Sequence, residues 1–167
     1  MMKSLLTLAL ALSVTACGSG DSSSVSLPDG KGGTTKISSK GDDSKSEVTM
    51  TGADGKTVKM SSNSKTADFP AFAPQYPGST ITSSTKMTTD GKSMSTVTMT
   101  SPDKVDPIIE FYKTNVTKAG MPIGMTGNFD GAGTLQAGKD DTAPGLIVSA
   151  TPKEGLSEIS LIITNAG

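Results

Sequence analysis

Asp90-Gly91-Lys92-Ser93-Met94-Ser95-Thr96-Val97-Thr98-Met99-Thr100-Ser101-Pro102-Asp103, running on through Val105 and Ile108 to Ala119-Gly120, decides the fold class. Asp-Gly between alternating residues is the strongest short hairpin signal, because a two-residue turn needs left-handed backbone. Residues 93–100 alternate and read as the returning strand. Val105, Ile108, Ile109, Tyr112, Val116 and Ala119 then recur at helical spacing, with Lys113 and Lys118 late and Gly120 as the stop. Ser101-Pro102-Asp103 reads as N-cap, first helical position and acidic first turn. Pro107 then kinks the helix, unless the helix starts there with Asp106 as its cap.

Upstream, Ser79–Met87 is a Thr-rich strand that feeds the hairpin. Asp68-Phe69-Pro70-Ala71-Phe72-Ala73-Pro74-Gln75-Tyr76-Pro77-Gly78 precedes it. Prolines 70, 74 and 77 forbid helix or central strand. The segment reads as extended chain pinning Phe69, Phe72 and Tyr76 on the core. The alternative is a Pro-rich ligand for a partner domain. Downstream, strands are predicted at about 121–128, 132–138, 145–150 and 156–164. Their turns hold Asp130-Gly131, Gly138 to Asp141, and Lys153-Glu154-Gly155.

Further towards the N-terminus, Thr34–Ser39 is a weak strand. Glu47–Thr51 and Lys56–Ser61 flank the turn Gly52-Ala53-Asp54-Gly55. Val48 and Met50 share a face, as do Val58 and Met60, so a hairpin brings the two faces together. This meander has a thin apolar face and needs something to lie against. The fold class is therefore α+β: a mainly antiparallel sheet packed on one amphipathic helix, preceded by a small β-meander. The expected divisions are 1–16 signal peptide, 17–33 lipidated cysteine and flexible tether, 34–66 β-meander, and 67–167 α+β domain.

The first residues carry an address. Met1-Met2-Lys3-Ser4 is a short positive region, and Leu5–Val14 is an apolar run too short to span a bilayer. Val14-Thr15-Ala16-Cys17 resembles the bacterial lipobox, with Val where Leu is commoner. That resemblance implies cleavage before Cys17 and acylation of its thiol. The alternative is an ordinary signal cut at Ala16 that leaves an unmodified cysteine. Gly18 in place of Asp implies, by the same analogy, the outer membrane facing the periplasm rather than inner-membrane retention. Membrane contact through acyl chains on Cys17 is the expected partnership, with an envelope protein as a further partner. Residues 18–33 are mostly Gly, Ser and Asp and read as the tether.

Asp54-Gly55-Lys56 between Thr/Val strands, Phe69-Pro70 through Tyr76-Pro77-Gly78, a Thr-rich hairpin, and Ser101-Pro102-Asp103-Lys104-Val105 through Phe111-Tyr112-Lys113 to Ala119-Gly120 follow one another in order. Over about residues 45–165 the chain resembles a bacterial lipoprotein domain without assigned activity. Pro107 departs from its usual helix. The resemblance implies no catalytic residues.

Composition narrows the chemistry. The 167 residues hold fifteen Lys+Arg and sixteen Asp+Glu. All the basic residues are Lys, and removal of Lys3 with the signal leaves fourteen against sixteen. No basic excess exists to hold a phosphate backbone, so nucleic acid is not an expected partner. The chain has no His and one Cys. The commonest general base and metal ligand are missing, and no disulfide can form. No cofactor is expected and the protein is not read as an enzyme.

Three alternatives keep chemistry in view. A small periplasmic hydrolase would need a Ser–Lys dyad, and Ser61 to Ser64 with Lys65 reads as polar linker. Asp42-Asp43 and Asp140-Asp141 read as solvated turns rather than a calcium site. Met50, Met60, Met87, Met94, Met99, Met121 and Met125 offer thioethers suited to a Cu(I) carrier. The competing reading of the methionines is that they fill an irregular core poor in aromatics.

Overall fold

Three two-residue turns set the hairpins. Asp90-Gly91, Asp130-Gly131 and Glu154-Gly155 have φ values of 49° and 80°, 52° and 79°, and 50° and 83°. Left-handed backbone at both central residues is the turn geometry that matches strand twist. The computed structural model describes residues 22–28, 34–42, 44–139 and 144–165. The signal segment 1–16, Cys17, the rest of the expected tether, Asp43 and Asp140-Asp141 lie outside them.

The strands are β1 (Ser22–Pro28), β2 (Thr34–Gly41), β3 (Lys45–Thr51), β4 (Thr57–Asn63), β5 (Thr80–Thr89), β6 (Lys92–Ser101), β7 (Ile123–Phe129), β8 (Ala132–Ala137), β9 (Gly145–Lys153) and β10 (Leu156–Asn165). The helix α1 (Val105–Lys118) stands between β6 and β7. The strands form one sheet in the order β1-β2-β3-β4-β5-β6-β10-β9-β8-β7, and every neighbouring pair is antiparallel. The expected α+β class, one antiparallel sheet with one helix, is the observed one.

The helix packs on β8 and β9, with lesser contact to β7. Ile108, Tyr112 and Val116 are fully buried against Leu135, Leu146, Val148, Leu161 and Val97. Gly133 on β8 allows this approach. A Cβ there would stand 2.6 Å from Ile109 Cγ1 and 2.7 Å from Val105 Cγ1. The 68–78 segment closes the rest of the core as predicted. Ala73 and Tyr76 are buried, and Phe69 and Phe72 pack against the cluster. Tyr76 and Tyr112 each meet the Phe111 ring nearly edge-on, at 5.1 Å.

The start of the helix differs from the expectation. Neither Ser101 nor Asp106 caps it; Lys104 is the N-cap residue and supplies no side-chain bond. Ser101 is buried, and its Oγ accepts from Asp103 N–H at 3.2 Å. Asp103 accepts a 2.7 Å hydrogen bond from Tyr76 Oη. A local turn bond thus engages Ser101, while Tyr76 and Ser157, whose Oγ donates to Asp103 O at 2.7 Å, hold Asp103. These are the residues that a local capping rule would assign to the helix. Pro107 is the third helical residue, where its missing N–H is one of the donors that lack an intrahelical partner anyway, so it needs no kink. Gly120 ends the helix as predicted. Its N–H donates to Thr117 O at 3.0 Å, and Met121 N–H donates to Val116 O at 2.9 Å, the paired bonds of a Schellman end.

Two further differences concern the N-terminal half. Ser22–Pro28, read as tether, is an edge strand whose residues pair from Ser22 with Lys40 to Pro28 with Thr34. The division expected at residue 66 is crossed by the β4–β5 pairing, from Val58 with Thr89 to Asn63 with Ser84.

Candidate functional site

Residues paired across strands share a face of the sheet, so the registers assign every strand residue to one side. On the helix side, β6 and β10 present Val97, Met99, Ile159, Leu161 and Ile163, all buried. Followed outward on that side, the residues turn polar. Ser95 pairs with Lys86, Lys86 with Ser61, Ser61 with Glu47, and Glu47 with Lys40. A second row runs Ser84, Asn63, Lys45. These two rows floor a trough of about 530 Å³, walled by Thr66, Ala67 and Asp68 of the aromatic segment.

The trough carries mixed charge. Lys40, Lys45 and Lys86 line it together with Asp42, Glu47 and Asp68. Lys86 Nζ and Asp68 Oδ2 are 3.1 Å apart, with side chains 40% and 86% exposed, so this pair is a weak surface contact. Asp42 closes the β2–β3 turn by accepting from Ser44 N–H (2.8 Å), Ser44 Oγ (2.9 Å) and Lys45 N–H (2.9 Å). Those hydrogen bonds, the one from the Ser44 backbone foremost, hold its carboxyl below the usual range. Asn63 Oδ1 accepts from Lys65 and Thr66 N–H and shapes the chain as it leaves β4.

Ser61, expected both to end the strand Lys56–Ser61 and to open the polar stretch with Lys65, lies in β4, which runs on to Asn63, and the register sets it beside Lys86, far along the chain. Lys86 donates to Asp68 rather than to a serine hydroxyl. No local pattern marks such a trough, because it is assembled from strands β2 to β6.

The opposite face has a different chemistry. Val48, Met60, Met87 and Met94 form one cross-strand row, and Val25, Ile37, Met50 and Val58 form the next. Val25, Met50 and Met94 are 46%, 40% and 45% exposed. The described elements in more than marginal contact with β1–β4 are their sheet neighbours. The cover that this thin apolar face was expected to need is not supplied by the described chain. Of the seven methionines, Met99 is buried and accepts a 3.3 Å contact from Ser79 Oγ, and Met121 packs on the core. Met125 is exposed on β7. Met50, Met60, Met87 and Met94 therefore do not fill a core.

The two tyrosines lie within the covered half. Burial is the larger cause, and the Asp103 hydrogen bond the second, that push the Tyr76 phenol up to about 12. Burial also raises the Tyr112 phenol. Its hydroxyl has no hydrogen-bond partner of good geometry among the described residues. No group of three or more His, Cys, Asp or Glu side chains that would hold a metal is present among the described residues.

Residues 81–157 match the family model described as START domain-like. This part of the chain is similar to a START domain. The match runs from Ile81 on β5 through α1 to Ser157 on β10, which is under half of the chain, and it leaves out β1–β4. No curated protein and no solved structure matches the chain. The matched part holds the helix and most of the strands beneath it, while Leu161 on β10 lies beyond the match. The space between helix and sheet is filled by Ile108, Tyr112, Val116, Leu135, Val148 and Leu161.

Proposed function

We propose that this protein is a lipid-anchored cell-envelope lipoprotein whose domain binds a small polar ligand and performs no catalysis. The observation that carries the binding reading is the trough on β2–β6. Its volume of about 530 Å³ falls within the range of small-molecule sites, and Lys40, Lys45, Asn63, Ser61 and Lys86 converge on it. The START-like likeness of residues 81–157 supports a domain of ligand- or lipid-binding type. With the helix–sheet core filled, the trough is the place for that ligand.

The anchoring reading rests on Val14 to Cys17. Ser22 already begins β1, so the intervening chain, even fully extended, reaches about 18 Å. Acyl chains on Cys17 would hold the β1 edge near the surface of the outer membrane, on its periplasmic side. A single chain binds weakly, and two or more anchor stably.

Two experiments test the proposal. A fatty-acid analogue fed to cells should label the wild type and leave Cys17→Ser unlabelled; equal labelling of both removes the anchor. A thermal-shift screen of polar and zwitterionic small molecules should find compounds that stabilise the wild type but not Ser61→Trp, whose indole occupies the trough. Ser61 is exposed, so this change leaves the core intact. No stabilising compound, or equal shifts in both proteins, refutes the trough as a binding site.

A further inference from the structure

We propose that Met60, Met87 and Met94 form a thioether site for a soft monovalent cation, Cu(I), on the uncovered face of the sheet. The register pairs Met60 on β4 with Met87 on β5, and Met87 with Met94 on β6. Three sulfur-bearing side chains thus stand side by side on adjacent strands and on one face. Directly paired residues have Cβ atoms about 4.5–5.5 Å apart. A methionine has three rotatable side-chain bonds, so the outer two lean towards the central Met87 without backbone movement.

Packing does not account for this row. Methionine is useful in a core because it fills irregular gaps, but no described element covers this face, and Met94 is 45% exposed. The neighbours of the row are Val48 at one end and Thr164 at the other. Next along the face come Val58, Thr89 and Lys92 on the turn side, then Ser62, Thr85 and Thr96 on the other. No carboxylate or imidazole stands among them, so a hard divalent cation finds no ligand. Soft thioethers select Cu(I), which accepts few ligands and needs no charged donor. Lys92, one register pair from Met94, is the nearest cation on the face; its flexible stem lets the ammonium stay in water. Cation binding here makes and breaks no covalent bond and transfers no electron. The site lies on the face opposite the trough, so it stands or falls independently of the polar-ligand reading.

The test uses the full chain carrying Cys17→Ser, which removes the one competing thiol. Cu(I), kept reduced by ascorbate without oxygen, is titrated against the chromophoric chelator bicinchoninate. The expected result is a single bound equivalent. X-ray absorption should show sulfur ligands, and a shell of nitrogen or oxygen alone overturns the proposal. Met87→Leu preserves volume, so its melting curve should match the parent. Its Cu(I) affinity should fall by at least the ~10–100-fold that loss of a supporting residue alone costs a metal site. Met60→Leu and Met94→Leu should each weaken binding, and Met125→Leu, on the far edge strand, should not. Failure of the parent to compete with the chelator overturns the site, as does unchanged affinity in the triple Leu variant. Equal loss in Met125→Leu would show that the metal binds elsewhere.

Discussion

Strands β1–β4 and strands β6 and β8–β10 belong to one hydrogen-bonded sheet, yet they turn most of their apolar side chains to opposite sides. In the C-terminal half, Val97, Leu161, Val148 and Leu135 lie under the helix. In the N-terminal half the same side carries Lys40, Glu47, Ser61 and Lys86, while Val48, Met60 and Met87 face away. The exchange runs along β6, where simple alternation sets Val97 and Met99 under the helix and Met94 on the outer side, opposite Met87 of β5; β5 adds an irregularity of its own. The register shifts between Ile81 and Ser83, leaving Thr82 as an extra residue whose Oγ1 donates to Thr98 O at 3.1 Å. Simple alternation would put Ile81 and Met87 on one face. The bulge instead places Ile81 opposite buried Met99, on the helix side, and Met87 opposite Met94, on the outer side. One inserted residue thereby reverses the facing of the rest of its own strand. The half that packs holds the core, and the half with its apolar row open offers surfaces.

The largest contrast between the halves should appear in truncations. Ile108→Ala, at a fully buried helix position, should cost about 2–5 kcal/mol in a denaturant melt. Val48→Ala, on the open face, should cost under about 1 kcal/mol. Equal losses would mean that the open face is covered after all. Gly133→Ala comes next, because its Cβ meets Ile109 and Val105 at under 3 Å. It should destabilise by about 1–3 kcal/mol through overpacking. A neutral result would show that the helix is looser on the sheet than described.

Tyr76→Phe removes a hydroxyl that donates to the Asp103 carboxylate. The loss should be about 1.5 kcal/mol, a typical value for a hydrogen bond to a charged group. A smaller and pH-dependent effect follows from both tyrosines. The chain has two, and burial raises the phenol of each, Tyr76 to about 12. The folded protein holds these protons more tightly than the unfolded chain, in which they leave near 10. The stability they contribute is complete below pH 10 and is lost as pH rises from 10 towards 12. Tyrosinate absorbance in the folded protein should therefore be missing at pH 10, where an ordinary tyrosine is half ionised. Half-ionisation at pH 10 while the fold persists would contradict the packing of this ring cluster.

Much of the covered half was legible because its signals are local. Asp90-Gly91 and Asp130-Gly131 supply their own turn chemistry, the Val105–Val116 spacing marks a helix face, and Gly120 marks its end. The shared face of Val48 and Met50 with Val58 and Met60 followed from alternation about the Gly52–Gly55 turn; which residue pairs with which is set by the register. What escaped depends on distant partners. Ser101 and Asp103 look like a cap, but Ser101 Oγ accepts from Asp103 N–H, and distant Tyr76 and Ser157 hold Asp103. Val25 and Leu27 alternate, but in a Ser-rich stretch; that stretch is a strand because β2 lies beside it. The bulge at Thr82 leaves no mark in a run of Thr and Ser. Without it, alternation counted forward from Ile81 sets Lys86 and Met87 on the wrong faces.

The reversal of faces is tested most directly by methionine oxidation in the native protein, mapped residue by residue with dilute peroxide. Met94 and Met50 should oxidise quickly, Met60 and Met87 more slowly, and buried Met99 only on unfolding. Protection of Met94 and Met50 to the level of Met99 in the monomer would contradict the reversal.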